Sequence, residues 1–224
     1  IWLRGGEYTI DKTIQISASE AYPITFAAYP GEKPVLSGGI KINNWTMTKV
    51  NGVTAWVSTV PEAIDENWLF KQLFVNGLRA QRVRYPKTGF LVVKDPLIPK
   101  NTSNFFKPAG NQFISAPGDI KPWKGLENAE IVVLHYWIEQ YLPVKSFDPK
   151  TGLVTTKKNT EMPLLAAHPG HDAGNANYYI ENVFETLTDP GEWYLDKNNS
   201  KLYYIPRKGE SHENTAIVAP KTVQ

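Results

Sequence analysis

The sequence predicts an all-β chain: the first coil of a right-handed parallel β-helix, interrupted by an inserted antiparallel β-barrel or sandwich domain. Three observations predict it. Apolar residues fall in short runs bounded by turn residues, as in Leu73-Phe74-Val75, Ile131-Val132-Val133-Leu134 and Leu202-Tyr203-Tyr204-Ile205, which is the signature of half-buried strands. Seventeen prolines and sixteen glycines are spread along the 224 residues, so few windows are long enough for a helix. The pattern opening at Ile1 restarts at Ile24, 23 positions later, and the following residues do not continue that repeat.

The first coil spans residues 1–39. Ile1-Trp2-Leu3, the turn Gly5-Gly6 and Glu7-Tyr8-Thr9-Ile10 are followed by Ile14-Gln15-Ile16. Ile24 to Tyr29 repeats the opening, Pro30-Gly31-Glu32-Lys33-Pro34 turns the chain, and Val35-Leu36-Ser37-Gly38-Gly39 closes the coil. One such coil cannot bury its own apolar face, and roughly three or more make a stable stack. Residues 40–214 form the inserted domain, and residues 215–224, beginning Thr215-Ala216-Ile217-Val218, again resemble a solenoid strand. Pro61-Glu62-Ala63-Ile64 and Phe184-Glu185-Thr186-Leu187 are the short helical turns.

Three hairpins are predicted in the insert. Asn76-Gly77 sits between Leu73-Phe74-Val75 and Leu78-Arg79-Ala80, and both tip residues accept the positive φ that a tight hairpin needs. Asp148-Pro149-Lys150-Thr151-Gly152 separates Val144–Phe147 from Leu153–Thr156, and Asp196–Ser200 separates Trp193-Tyr194-Leu195 from Lys201–Ile205.

Composition removes several function classes. The net charge is +2 with dispersed charges, and no block of like charge suggests a nucleic-acid partner. No apolar run approaches the roughly 18 residues of a membrane-spanning helix. With no cysteine, disulfides, thiolate metal sites and thiol nucleophiles are impossible. Seven Trp and eleven Tyr serve as strand core or as a sugar-stacking surface. The chain opens at Ile1 within a strand-like pattern, which points to a natural start upstream.

The candidate binding residues are His135, Trp137 and Glu139. If the run Ile131–Leu134 continues as a strand, alternation puts these three on one face. A titratable ring, a stacking ring and a carboxylate together suit a sugar. The plainer reading is a strand with its aromatic packed under a loop. Arg79, Arg82 and Arg84 form a basic stripe if residues 78–85 are extended, suited to acidic sugars because the guanidinium fork matches a carboxylate; a solvent-facing strand is the plainer reading.

His168-Pro169-Gly170-His171-Asp172 lacks the helical spacing of a metal-binding pair and reads as a solvated loop. Asp196–Ser200 lacks the glycine and distant glutamate of a calcium loop. Asp148, Asp189 and Asp196 read as turn-capping residues. No metal or cofactor is expected.

Gly5-Gly6-Glu7-Tyr8 with Ile24–Gly39 resembles the first coil of bacterial right-handed parallel β-helix glycoside hydrolases, the families that include α-L-fucosidases, xylanases and β-xylosidases. Leu73-Phe74-Val75-Asn76-Gly77-Leu78-Arg79-Ala80, running on to Pro86, looks like a hairpin of theirs. Asn182-Val183-Phe184-Glu185 with Asp189–Asp196 and Leu202–Pro206 is similar to the close of their inserted domain. The resemblance implies a secreted or periplasmic protein acting on carbohydrate. Its catalytic carboxylates would lie on later coils, so no catalytic residue is assigned and the rest of its own chain is a partner. The alternatives are a non-catalytic carbohydrate-binding or structural module and, among enzymes, a β-helix polysaccharide lyase.

Overall fold

The computed structural model describes residues 1–16, 23–60, 70–98, 110–135, 137–165 and 174–221. They are all-β, with twenty short strands and two single-turn 3₁₀ segments, Leu126–Asn128 and Phe184–Thr186, and no α-helix. The helical turn expected at Phe184 is thus present as a 3₁₀ turn, while the one at Pro61 lies outside the described residues.

The first coil makes two parallel pairs. Strand β1 (Trp2–Leu3) pairs with β3 (Ala27–Ala28), and β2 (Gly6–Thr9) pairs with β4 (Pro34–Ser37). Residues 1–37 thus hold two short parallel pairs, and the described residues show no β-helix stack. Trp2, Ile14, Ile16, Phe26, Val35 and Leu36 are all exposed, as expected for a coil with nothing packed on its apolar face.

Residues 39–220 form three sheets, and the return segment expected at 215–224 supplies a strand to one of them. A four-stranded sheet runs β5 (Gly39–Lys41), β20 (Ile217–Pro220), β8 (Phe74–Val75), β9 (Leu78–Arg79). A five-stranded sheet runs β10 (Gln81–Arg82), β18 (Glu192–Asp196), β19 (Lys201–Tyr204), β7 (Val53–Thr59), β6 (Thr46–Val50). The third runs β11 (Arg84–Tyr85), β17 (Asn177–Glu181), β14 (Glu130–Leu134), β15 (Glu139–Asp148), β16 (Leu153–Thr156), β13 (Gln112–Ile114), with β12 (Leu91–Val92) also on β17. Strand β20 lies between β5 and β8, antiparallel to both. Ile217 and Ala219 point into a core cluster with Trp56, Leu73, Trp193 and Tyr204. Gly39 allows β5 to approach β20 closely, since a Cβ there would meet Val218 Cγ1 at 2.3 Å.

All three predicted hairpins form. Asn76 and Gly77 have φ of 50° and 76°, and Phe74 pairs with Arg79 across them. Asp148 accepts from Lys150 N at 2.9 Å and Thr151 Oγ1 at 2.7 Å, and Asp196 accepts from Asn198 N at 3.0 Å and Asn199 N at 3.1 Å. Both aspartates cap their own turns, which is the reason a short acceptor side chain occupies those positions.

The second core cluster lies on one face of the seven-stranded sheet. Ile131 and Val133 of β14, Leu142 and Val144 of β15, and Tyr178 and Ile180 of β17 all point into it. Because strand side chains alternate, the residues between them must emerge on the opposite face. That opposite face carries the polar site.

Candidate functional site

The register fixes which side chains share this second face. Glu130 stands opposite Glu181, Val132 opposite both Tyr141 and Tyr179, and Leu134 opposite Glu139. Arg84 of β11 stands opposite Glu181. Two rows of polar and aromatic side chains therefore cross strands β11, β17, β14 and β15. Arg79 and Arg82 close one end, and Lys71 reaches in from the segment before β8. Together Lys71, Arg79, Arg82, Arg84, Glu139, Tyr141, Tyr179 and Glu181 line a cleft of about 400 Å³, within the range of about 300–1,000 Å³ usual for small-ligand sites.

Arg82 forms the floor. It is buried, and its Nη1 donates to Glu130 at 2.6 Å and to Glu181 at 3.0 Å. Lys71 Nζ completes the group with a 2.9 Å bond to Glu130. Burial by itself would raise the Glu130 carboxyl, but Arg82 and Lys71 together override it and hold it at about 2. Glu181 goes the other way, with burial lifting it above the usual carboxylate range despite Arg82. The single guanidinium thus secures one carboxylate firmly and the other weakly. The Nε of Arg82 is buried with no hydrogen-bond partner.

The walls are aromatic. The Arg84 guanidinium lies 3.9 Å above the centroid of Tyr179, and Lys71 Nζ lies 4.0 Å from that of Tyr141. Each contact is worth about 0.5–2 kcal/mol depending on exposure. Arg84 is further fixed by donating Nε to Pro86 O at 3.0 Å and Nη2 to Gly89 O at 2.5 Å. Burial raises both phenols, Tyr179 to about 12, so both hydroxyls stay protonated and able to donate at neutral pH.

The structure gathers part of the sequence-based set and disperses the rest. Residues 130–139 are not one strand: β14 ends at Leu134, β15 begins at Glu139, and His135 N donates to Ile138 O at 2.9 Å to close a tight hairpin. His135, Trp137 and Glu139 consequently do not share a face. His135 is buried with its Nε2 3.2 Å from Gln140 Oε1. Trp137 sits at the hairpin tip, 58% exposed, and Glu139 enters the cleft.

The three arginines of the expected basic stripe do meet, but not on one extended strand. Residues 78–85 are three two-residue strands in three sheets, not one extended strand. Strict alternation would put Arg79 on the face opposite Arg82 and Arg84. The break at Ala80, whose N donates to Leu73 O at 2.7 Å, removes that constraint, and all three arginines line the same cleft.

Lys71, Tyr141, Tyr179 and Glu181 of the cleft, and Glu130 buried behind it, carry no mark in the sequence reading. A signal for two of them exists: Glu130 and Glu181 are carboxylates abutting the apolar runs Ile131–Leu134 and Tyr178–Ile180, where a buried charge requires a partner. The histidine-rich segment 168–172 lies outside the described residues. Among the described residues, no group of three or more His, Cys, Asp or Glu side chains is placed to hold a metal ion.

Chemically, this face offers fixed cationic donors, a carboxylate acceptor at Glu139 and two phenols beside aromatic walls. That is a set for holding a polyhydroxylated molecule. The comparisons agree with a carbohydrate setting. No curated protein matches the chain. A solved structure described as a glycoside hydrolase shares the fold, with a TM-score of 0.68 at 24% identity over 98% of this chain. The chain spans 38% of that protein's length. The family described as the GH141 insertion domain matches residues 53–207, which hold the whole seven-stranded sheet, all of the five-stranded sheet but β6, and every residue lining the cleft. The chain belongs to the GH141 insertion-domain family and is a glycoside hydrolase-related module.

Proposed function

We propose that this chain is the N-terminal, non-catalytic portion of a larger secreted glycoside hydrolase acting on a plant or host polysaccharide. In this reading residues 1–39 begin a parallel solenoid, residues 40–214 are the inserted domain and residues 215–224 lead back to the solenoid. The insert contributes one wall of the substrate cleft, and the catalytic carboxylates belong to the rest of the chain. Supporting this are the match to an insertion domain, the 38% share of the glycoside hydrolase neighbour and the exposed apolar face of the first coil. A secreted or periplasmic location is part of the same proposal, because a plant or host polysaccharide would be met outside the cytoplasm.

The observation that carries the carbohydrate contact is the polar face formed by Glu139, Tyr141, Tyr179 and Arg84 behind the core of the seven-stranded sheet. His135, Trp137 and Glu139 enter as parts of one hairpin: Glu139 as a direct hydroxyl acceptor in the cleft, Trp137 as an exposed stacking ring on the hairpin, and His135 as the buried support beneath the turn. Affinity electrophoresis of the purified chain in glycan-containing gels tests it. Retardation that falls at least about threefold in Trp137→Ala and in Glu139→Gln is expected, because each loses a stacking or hydrogen-bonding contact worth about 1 kcal/mol. No retardation in any glycan would leave the insert a scaffold.

A further inference from the structure

The cleft holds more positive charge than the fold uses. Its lining carries four cations, Lys71, Arg79, Arg82 and Arg84, against the carboxylates Glu139 and Glu181. Lys71 and Arg82 are both committed to Glu130, and Arg82 also to Glu181. Arg84 is different. Its two protein hydrogen bonds go to the carbonyls of Pro86 and Gly89, which orient a guanidinium without neutralising it. Arg79 is exposed at the rim, and neither it nor Arg84 has a carboxylate within ion-pair distance among the described residues.

Such a guanidinium is prepared for an anion. Its Cζ lies 3.9 Å from the Tyr179 centroid, and Nε and one proton of Nη2 are held by the chain, so both protons of Nη1 and the second of Nη2 remain for a carboxylate fork. Little side-chain freedom is left to lose on binding, which favours affinity. Arginine is also the side chain whose fork matches a carboxylate.

The rest of the cleft narrows the ligand class. Glu139 would repel a simple anion, yet it is a good acceptor for sugar hydroxyls. Tyr141 and Tyr179 keep protonated hydroxyls, with Tyr141 bonded to Glu139 and to Tyr179. A neutral sugar would leave the charges of Arg84 and Arg79 unmatched, while Glu139, already bonded to Tyr141, keeps acceptor capacity for ring hydroxyls. Building on the carbohydrate reading above, we propose that this cleft is a subsite for a uronic acid residue, with its carboxylate on Arg84 and Arg79 and its ring hydroxyls toward Glu139 and the two tyrosines.

The test is isothermal titration of the purified chain with three probes: an oligogalacturonate, the same oligosaccharide as its methyl ester, and a neutral xylo-oligosaccharide. The acid should bind about tenfold or more tightly than the ester, since a hydrogen bond to a charged group is worth about 1.5–3 kcal/mol. Arg84→Gln should lose that preference. Arg84 also steadies the loop at Gly89, so Arg79→Gln supplies a second variant, exposed and without a described partner, which should weaken acid binding severalfold and leave the ester unchanged. Equal binding of acid and ester, or indifference to both substitutions, overturns the uronate assignment and leaves a neutral-glycan surface. Failure of all three probes to bind overturns the carbohydrate reading along with it.

Discussion

The side-chain amide of Asn182 pairs with both backbone groups of Leu195, as a neighbouring strand would. Its Oδ1 accepts from Leu195 N at 2.9 Å and its Nδ2 donates to Leu195 O at 2.8 Å. The same Nδ2 donates to Asn128 O at 3.1 Å. Asn182 is fully buried with a φ of 62°, a conformation asparagine tolerates better than most residues. It joins the end of β17 to the middle of β18, and so the seven-stranded sheet to the five-stranded one. Asn182→Ala should cost about 3 kcal/mol in urea denaturation, because it strands buried backbone groups at about 1–3 kcal/mol each. A loss under about 1 kcal/mol would mean that the two sheets do not depend on this link.

Glu130 and Glu181 share Arg82 but should respond oppositely to pH. Glu130 falls from 4.5 to about 2 in the fold, so it contributes stability above pH 4.5 that is lost as pH falls toward 2. The displacement corresponds to about 3 kcal/mol. Glu181 is raised, so at neutral pH its ionisation costs stability, and that cost disappears on acidification. Glu130→Gln should therefore destabilise strongly at pH 7 and hardly at pH 2, while Glu181→Gln should be much milder at pH 7. Denaturant midpoints of the two variants across pH 2–7 decide the matter, and equal losses at pH 7 would contradict this division of Arg82.

Burial lowers the His135 imidazole, against the weaker opposing pull of its contact with Gln140. The neutral ring is the folded form, so stability is present above 6.5 and lost as pH falls through the lowered folded value. His135→Gln should remove this component, giving a flatter stability profile between pH 7 and 5 than the parent. An NMR titration placing His135 at or above 6.5 would refute it.

Two glycines separate backbone strain from crowding. Gly152 has a φ of +76° and a Cβ there would lie 2.9 Å from Ser115 O, whereas Gly118 at +87° has nothing within 4 Å. Alanine at Gly118 should cost about 1–2 kcal/mol for the left-handed backbone alone. Alanine at Gly152 should cost more, because Ser115 is fixed by its N to Gly152 O bond at 2.9 Å. Equal melting temperatures for the two variants would show that the β13–β16 pair relaxes without loss.

Local chemistry made the hairpins readable. Asn76-Gly77, Asp148 to Gly152 and Asp196 to Ser200 each contain the residues that accept positive φ or cap their own turn, and those requirements act within a few positions. The turn at 135–138 carried no such residue. It forms because Ile131 and Val133 find Leu142 and Val144 in one core, and the chain must reverse between them. Without a local cue, residues 131–139 look like one strand.

The sequence by itself determined the all-β class and the three hairpins, since alternation, turn residues and the absence of helical windows are local properties. It also offered Glu139 and the three arginines as residues of interest. Only the tertiary structure decided that they meet. Arg79, Arg82 and Arg84 belong to strands in three different sheets, and Glu139, Tyr179 and Glu181 come together through the register of β14 with β15 and β17. Register and sheet order are set by which apolar faces can share one core over long chain separations, and that energy has no trace in any short stretch of sequence.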